Sequence, residues 1–229
     1  MEVQKLELDS VGKVRAVLLS DGRKIHCSKV VLCTNVWTNR LLSGTKQGCS
    51  LPVWAAPHPV IVMRRPVTYE GVRPVVADFE SKAYLKPEGK SFMLVGSLDP
   101  AIDAQKVDPE KCPSDVSFEY QSFFAEFASK RIPAMSEGSL HSSYIGMYDM
   151  TPDSHPIIDE LSEIGLFGVY CCVGLSGHGF KLSPAFGLMV SEMITEKKDL
   201  TFDRSFFSLS RFAKGELLLS KYASVGTIA

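Results

Sequence analysis

Between Val169 and Lys181 an apolar run empties into Gly174-Leu175-Ser176-Gly177-His178-Gly179, after which helical periodicity resumes. Glycines at a strand-to-helix turn let backbone amides approach a ligand closely, and the positive end of the following helix favours negative charge. The chemistry this suits is the holding of something flat or anionic. Taken alone, the same turn serves equally well as a tight connection, so residues elsewhere must decide.

Spacing narrows the other chemistries. Ser176 follows an apolar strand, but the G-x-S-x-G nucleophile turn needs glycine where His178 stands. The dinucleotide fingerprint G-x-G-x-x-G is also absent: Gly177-His178-Gly179 is followed by Leu182 at the third glycine's place, and no copy lies near the N-terminus. His155 and His178 are separated by a whole predicted strand, with neither H-E-x-x-H nor mixed His/Cys spacing. Hydrogen-bonding histidines are expected there rather than a metal site.

The elements that must position this turn can be read from periodicity. Alternation through Val3 to Leu8 and Val14 to Leu18, with Asp21-Gly22 between strands, predicts a small antiparallel meander. It feeds Lys29 to Cys33, a continuous apolar run of the kind buried on both faces. From Leu51 to Leu98, prolines punctuate the apolar segments Pro59 to Met63, Val75 to Phe79 and Phe92 to Val95, which suits a second sheet. Val116, Tyr120, Phe123, Phe124 and Phe127 then recur at helical spacing, with Ser114 or Asp115 placed to cap a helix lying on that sheet. After Tyr144 come a polar loop from Asp149 to His155 and a strand from Leu166 to Val173. The final helix follows, with Ser183 as cap, Pro184 in its first turn, an apolar face of Leu188, Met189, Met193 and Ile194, and Lys197 and Lys198 at its negative end. The aromatic-rich stretch from Thr201 to Phe212 is expected to pack back onto the body.

The 229 residues can bury one substantial core or two small ones. Lys plus Arg (25) nearly balances Asp plus Glu (26), so no net field favours nucleic acid or anionic lipid. Six cysteines without a C-x-x-C pair or regular framework fit a reducing, cytoplasmic setting. No apolar run approaches the ~20 residues that span a bilayer, and the opening MEVQKLELDS lacks a signal peptide's apolar stretch. A soluble protein is expected, with a matrix or organellar site the alternative if a further segment precedes it.

Two stretches together carry a specific resemblance. They are Gly146-Met147-Tyr148-Asp149-Met150-Thr151-Pro152-Asp153 with Pro156 to Asp159, and Gly174 to Lys181 with Ser183-Pro184 and Gly187. In that order and spacing the chain resembles the D-amino-acid-oxidase-like flavoproteins, in the branch of sarcosine and glycine oxidases and related dehydrogenases. Val30-Val31-Leu32-Cys33-Thr34-Asn35-Val36-Trp37 is similar to the strand and turn that pass beside the flavin in that family. The resemblance covers nearly the whole chain and implies an α+β protein. Residues 1–48 and 144–200 would form part of an FAD-binding α/β domain, 49–143 a mostly antiparallel substrate domain, and 201–229 a tail.

What the resemblance implies about the site follows residue by residue. Noncovalent FAD would lie against Thr34, Asn35 and Trp37 and against Gly174, Leu175, Ser176, Gly177, His178, Gly179, Phe180 and Lys181. Lys181 would pair with a substrate carboxylate, its alternative being a solvated surface lysine. Tyr148 would hydrogen-bond the carboxylate or amine, its alternative being an aromatic that covers the core. Leu94 stands where sarcosine oxidases place a lysine that helps reduced flavin react with oxygen, which favours a dehydrogenase over an oxidase. The expected reaction is hydride transfer from the carbon bearing the amine, followed by imine hydrolysis.

Three departures qualify the match. The family's opening strand-turn-helix, which holds the ADP half of FAD, has no counterpart in this sequence, so a tight FAD complex is expected only once that segment is supplied. Asn35 replaces a glycine near the flavin, with a tolerance for left-handed backbone that most residues lack. Gly146 stands where some sarcosine oxidases carry the cysteine that bonds to flavin, and Cys171 and Cys172 read as buried strand residues. The competing expectation is a noncatalytic fragment acting as a binding or assembly module. Either reading predicts exposed apolar surface and a protein partner or self-association.

Overall fold

The computed structural model describes residues 1–45, 48–198 and 200–218. Strands β1 (Val3–Leu8), β2 (Val14–Leu19), β3 (Lys24–His26) and β4 (Val30–Leu32) lead into helix α1 (Thr38–Ser43). Next come β5 (Trp54–Arg64), β6 (Val76–Asp78), β7 (Ala83–Glu88), β8 (Phe92–Ser97), α2 (Pro100–Asp103), α3 (Phe118–Arg131) and β9 (Ser139–Met150). The chain closes with β10 (Ile157–Glu160), β11 (Val169–Val173), α4 (Gly179–Ile194) and α5 (Ser210–Lys214). Helices mixed with largely antiparallel sheets make this the expected α+β class. The residues form two compact units, one of Met1–Trp54 with the described residues from Asp149 onward, the other of Ala55–Tyr148.

In the first unit, β1, β2 and β3 form the predicted antiparallel meander. Gly22 takes φ +85° at its turn, where its N–H donates to the Leu19 carbonyl. A second sheet has the order β10-β11-β4, with β11 antiparallel to β10 and parallel to β4. One face packs Leu32, Ile157, Val169, Cys171 and Val173 against Leu6, Val14 and Leu42. The other face packs Ile158 and Tyr170 against Phe186, Met189 and Met193 of α4. Strand β4 departs from the expected burial on both faces: Leu32 is buried, but Val30 and Val31 are only half-buried. Among the described residues β4 pairs only with β11, so it is a sheet edge.

Several boundaries move for local reasons. Strand β11 starts at Val169 rather than Leu166, because Gly168 takes φ +70° and breaks the extended run. Helix α4 begins at Gly179, which leaves Pro184 inside it and Ser183 too late to cap it. Pro184 has no N–H to give the Phe180 carbonyl one turn back, and the Ser183 hydroxyl donates to that carbonyl instead, at 2.9 Å. The helix buries Phe186, Met189, Glu192 and Met193, while Leu188 is exposed. Lys197 reaches the buried Glu192 carboxylate at 2.8 Å rather than the helix-end carbonyls. The tail packs back as expected, through Arg211, which pairs with buried Asp153 at 2.7 Å and donates to the His155 carbonyl.

The second unit is a five-stranded sheet in the order β6-β7-β8-β5-β9, with α3 on one face. Ile61, Met63, Leu85, Met93 and Val95 pack against Phe124, Phe127 and Met135. Pro57 and Pro59 lie within β5, and its ladder to β8 starts only beyond them, at Val60 opposite Gly96. Helix α3 is capped by Ser117, whose Oγ accepts from the Tyr120 N–H, and not by Ser114 or Asp115. Strand β9 extends to Met150, so the expected polar loop begins two residues later than Asp149.

Candidate functional site

In the first unit the functional candidates converge on the turn between β11 and α4. Gly174 takes φ +70°, and a Cβ there would lie 2.2 Å from the Thr151 side chain, so only glycine fits. Ser176 and Gly177 also take left-handed backbone, at φ +47° and +81°. Asp149, at the end of β9, holds this turn from behind. Its carboxylate accepts the Gly174 N–H at 2.7 Å and its carbonyl accepts the Ser176 N–H at 3.0 Å. Burial pushes the Asp149 carboxyl above its ordinary range, against the lowering effect of those N–H groups. The same turn encloses His178, whose Nε2 is buried without a hydrogen-bond partner. Burial first, then the charge of Lys181, lowers the His178 pKa to about 4, so the ring is neutral at ordinary pH.

Beside this turn opens a cavity of about 320 Å³, lined in part by Cys33, Asn35, Asp149, Cys172, Leu175 and Gly179. That volume lies at the small end of ligand sites. Asn35 occupies φ +50°, the left-handed backbone for which asparagine is suited, and its carbonyl accepts from the Thr38 hydroxyl. Thr34 is half-buried and shares a 2.9 Å hydroxyl contact with Thr38. Trp37 is exposed, as are Gly177, Phe180 and Lys181, and Phe180 at 98% exposure is nearly bare. The structure therefore brings Asn35, Leu175 and Gly179 to one cavity, with Ser176 and His178 buried in the adjoining turn. Lys181 stands on the first turn of α4.

Tyr148 belongs to the other unit, where it meets two residues the sequence did not single out. His58 on β5 stacks on Tyr148 of β9, with ring centroids 4.1 Å apart, and its Nε2 lies 3.2 Å from the Tyr148 hydroxyl. The same nitrogen lies 3.2 Å from the hydroxyl of Tyr84, which comes from β7. Tyr84 reaches β5 across the intervening strand because Gly96 sits opposite it on β8; a Cβ on Gly96 would lie 2.5 Å from the tyrosine oxygen. Burial lowers the His58 pKa to about 4 and raises that of Tyr148 to about 12, while Tyr84 is pushed up for the same reason. His58 Nδ1 is buried without a hydrogen-bond partner. The cluster is thus an uncharged imidazole with two phenol hydroxyls, suited to orient a small polar ligand rather than to neutralise one.

The second half of the resemblance motif is structural. Asp153 accepts twice from Arg211 and once from the His155 N–H, and the Thr151 hydroxyl donates to the His155 carbonyl at 2.7 Å. These contacts fix the loop that returns β9 into β10. All six cysteines are free thiols, and no helix among the described residues is long and apolar enough to cross a membrane. No cluster of three or more His, Cys, Asp or Glu that could hold a metal occurs among them.

"FAD-dependent oxidoreductase domain-containing protein 1" of Bos taurus is 30% identical over 205 residues, covering 84% of this chain and 40% of the relative. Glycine oxidase of Geobacillus kaustophilus is 26% identical over 210 residues, covering 92% of this chain and 51% of the enzyme. The crystal structure of L-proline dehydrogenase from P. horikoshii superposes with a TM-score of 0.80 at 26% identity, over 94% of this chain and 55% of that one. The chain thus spans about half the length of these relatives, or less. The profile described as "FAD dependent oxidoreductase" matches residues 1–193, and the chain belongs to that family.

Proposed function

We propose that this chain carries the flavin-ring side and the substrate-orienting groups of an enzyme that oxidises a secondary amine or amino acid, of the sarcosine, glycine or proline type. The observation that carries this reading is the uncharged cluster of buried His58 with half-buried Tyr84 and Tyr148. The turn between β11 and α4 fits a flavin: Gly174 leaves no room for a side chain, the backbone beyond it is left-handed, and buried His178 Nε2 has a hydrogen bond to give or take. Asn35, Leu175, Gly177, His178 and Gly179 would hold the ring, with Thr34, Trp37, Ser176 and Phe180 beside them. FAD, when bound, supplies the two-electron acceptor for the amine's hydride.

The chain's own residues do the rest. A phenol pushed up to about 12 keeps its proton at neutral pH, so Tyr148 remains a donor to a carboxylate oxygen or an amine lone pair. The neutral His58 ring holds both tyrosine hydroxyls and adds no charge of its own to the cluster. Lys181 supplies the cation for a substrate carboxylate. Leu94, in place of a lysine, favours an electron acceptor other than oxygen. A second reading, a noncatalytic assembly module, draws on the bare Phe180 and the exposed Leu182 and Leu188 of α4, which would suit a protein partner.

The test is anaerobic. With saturating FAD, addition of sarcosine, proline or glycine is expected to bleach the oxidised flavin's visible band, and Tyr148→Phe to slow the bleaching on the order of tenfold, as the loss of one hydrogen bond implies. Binding of flavin with no bleaching by any of these amines would favour the assembly module.

A further inference from the structure

Cys33 directly follows β4, and Cys172 lies within its parallel neighbour β11. The register of β4 and β11 pairs Val30 with Val169, Val31 with Tyr170 and Leu32 with Cys171. Extended one residue past the end of β4, the same register sets Cys33 opposite Cys172. Side chains alternate across a sheet. Leu32 and Cys171 enter the core on one face, whereas Val31, Tyr170 and Cys172 pack toward α4 on the other. Cys33, two residues beyond Val31, falls on the face of Cys172, and both line the cavity that also borders Asp149, Leu175 and Phe186. Neighbouring strands lie roughly 4.8 Å apart, inside the approximate 4.4–6.8 Å span of Cα atoms that a disulfide bridges.

We propose that Cys33 and Cys172 form a reversible disulfide, a redox modification site on the wall of the cavity beside the 174–179 turn. Both are free thiols, and exposed Cys33 is the one an oxidant meets first. Cys171 cannot compete: it is fully buried on the opposite face, with its sulfur directed at the Ile157 carbonyl. With hydrogen peroxide as oxidant, the Cys33 thiol gives up its proton and the thiolate attacks one peroxide oxygen, forming an S–O bond and breaking the O–O bond. The leaving hydroxide takes the thiol's proton and departs as water. Cys172 then attacks that sulfur, the S–S bond forms, the S–O bond breaks, and the second oxygen departs as water. The two thiols lose two electrons and the peroxide gains two. The bond would tie β4 to β11 at the mouth of the cavity. Burial raises the pKa of both thiols, so oxidation should be slow at neutral pH and faster as pH rises.

The experiment oxidises the full chain with hydrogen peroxide, blocks remaining thiols, digests it without reductant and maps the linked peptides by mass spectrometry. The expected product links the Cys33 peptide to the peptide containing Cys171 and Cys172, lighter by two hydrogens and split by dithiothreitol. Cys33→Ser and Cys172→Ser should each abolish the link, while Cys171→Ser retains it. Thermal unfolding of each variant under reducing conditions checks that it folds, and the exposed Cys33 variant decides the matter if a buried one does not. Sulfinic acid at Cys33 without any link, or a link that survives Cys33→Ser, would overturn the proposal.

Discussion

Burial holds the folded pKa of His58 at about 4, below the 6.5 of a free imidazole. The unfolded chain therefore binds a proton first as pH falls, and the folded state loses up to about 3 kcal/mol between pH 6.5 and 4 on this account. His58→Gln is expected to flatten that part of the stability curve, measured by urea unfolding across the range. An unchanged slope would show that the ring is not the buried group described. Gly96 is tested in the same cluster. Gly96→Ala places a methyl against the Tyr84 ring and should cost about 1–3 kcal/mol as an overpacked site. Adding Tyr84→Ala should remove the clash, so the double variant should be more stable than the sum of the two single costs implies.

At the scale of elements, the Arg211 to Asp153 pair joins α5 to the loop between β9 and β10, with both side chains almost wholly buried. Burial pushes the Asp153 carboxyl up, but Arg211 and the surrounding N–H groups outweigh it and hold it below its ordinary 3.8. The pair's contribution is therefore present above pH 3.8 and lost as pH falls through the lowered value. Arg211→Ala leaves the carboxylate buried alone and should cost about 3–5 kcal/mol, with faster proteolysis near residue 211 as a second readout. This pair was not legible in the sequence, because 58 residues separate its members. The meander was legible, since alternation and Asp21-Gly22 are local signals. The start of α4 was not, because glycines normally argue against helix and here Gly179 opens one. The cap of α3 was misplaced within a run of three possible residues, Ser114, Asp115 and Ser117, which only the backbone path distinguishes. Of the candidate site, the glycine turn could be read directly. His58 could not, because Tyr84 and Tyr148 reach it only through the order of β7, β8, β5 and β9.

At the scale of the whole molecule, two units carry two different chemistries. The first offers a glycine turn braced by Asp149 beside a small cavity; the second offers a neutral, hydrogen-bonding cluster under a helix-covered sheet. The chain belongs to the FAD dependent oxidoreductase family and spans about half the length, or less, of the relatives it matches. The central claim is that the turn at residues 174–179 holds a flavin ring. The most direct measurement is the visible absorption spectrum of the chain equilibrated with saturating FAD, beside that of Gly174→Val. The account predicts a shifted, structured flavin band with the wild-type chain and the spectrum of free FAD with the variant, in which a bulky side chain meets Thr151 in left-handed backbone. A free-FAD spectrum with the folded wild-type chain at every concentration would contradict it.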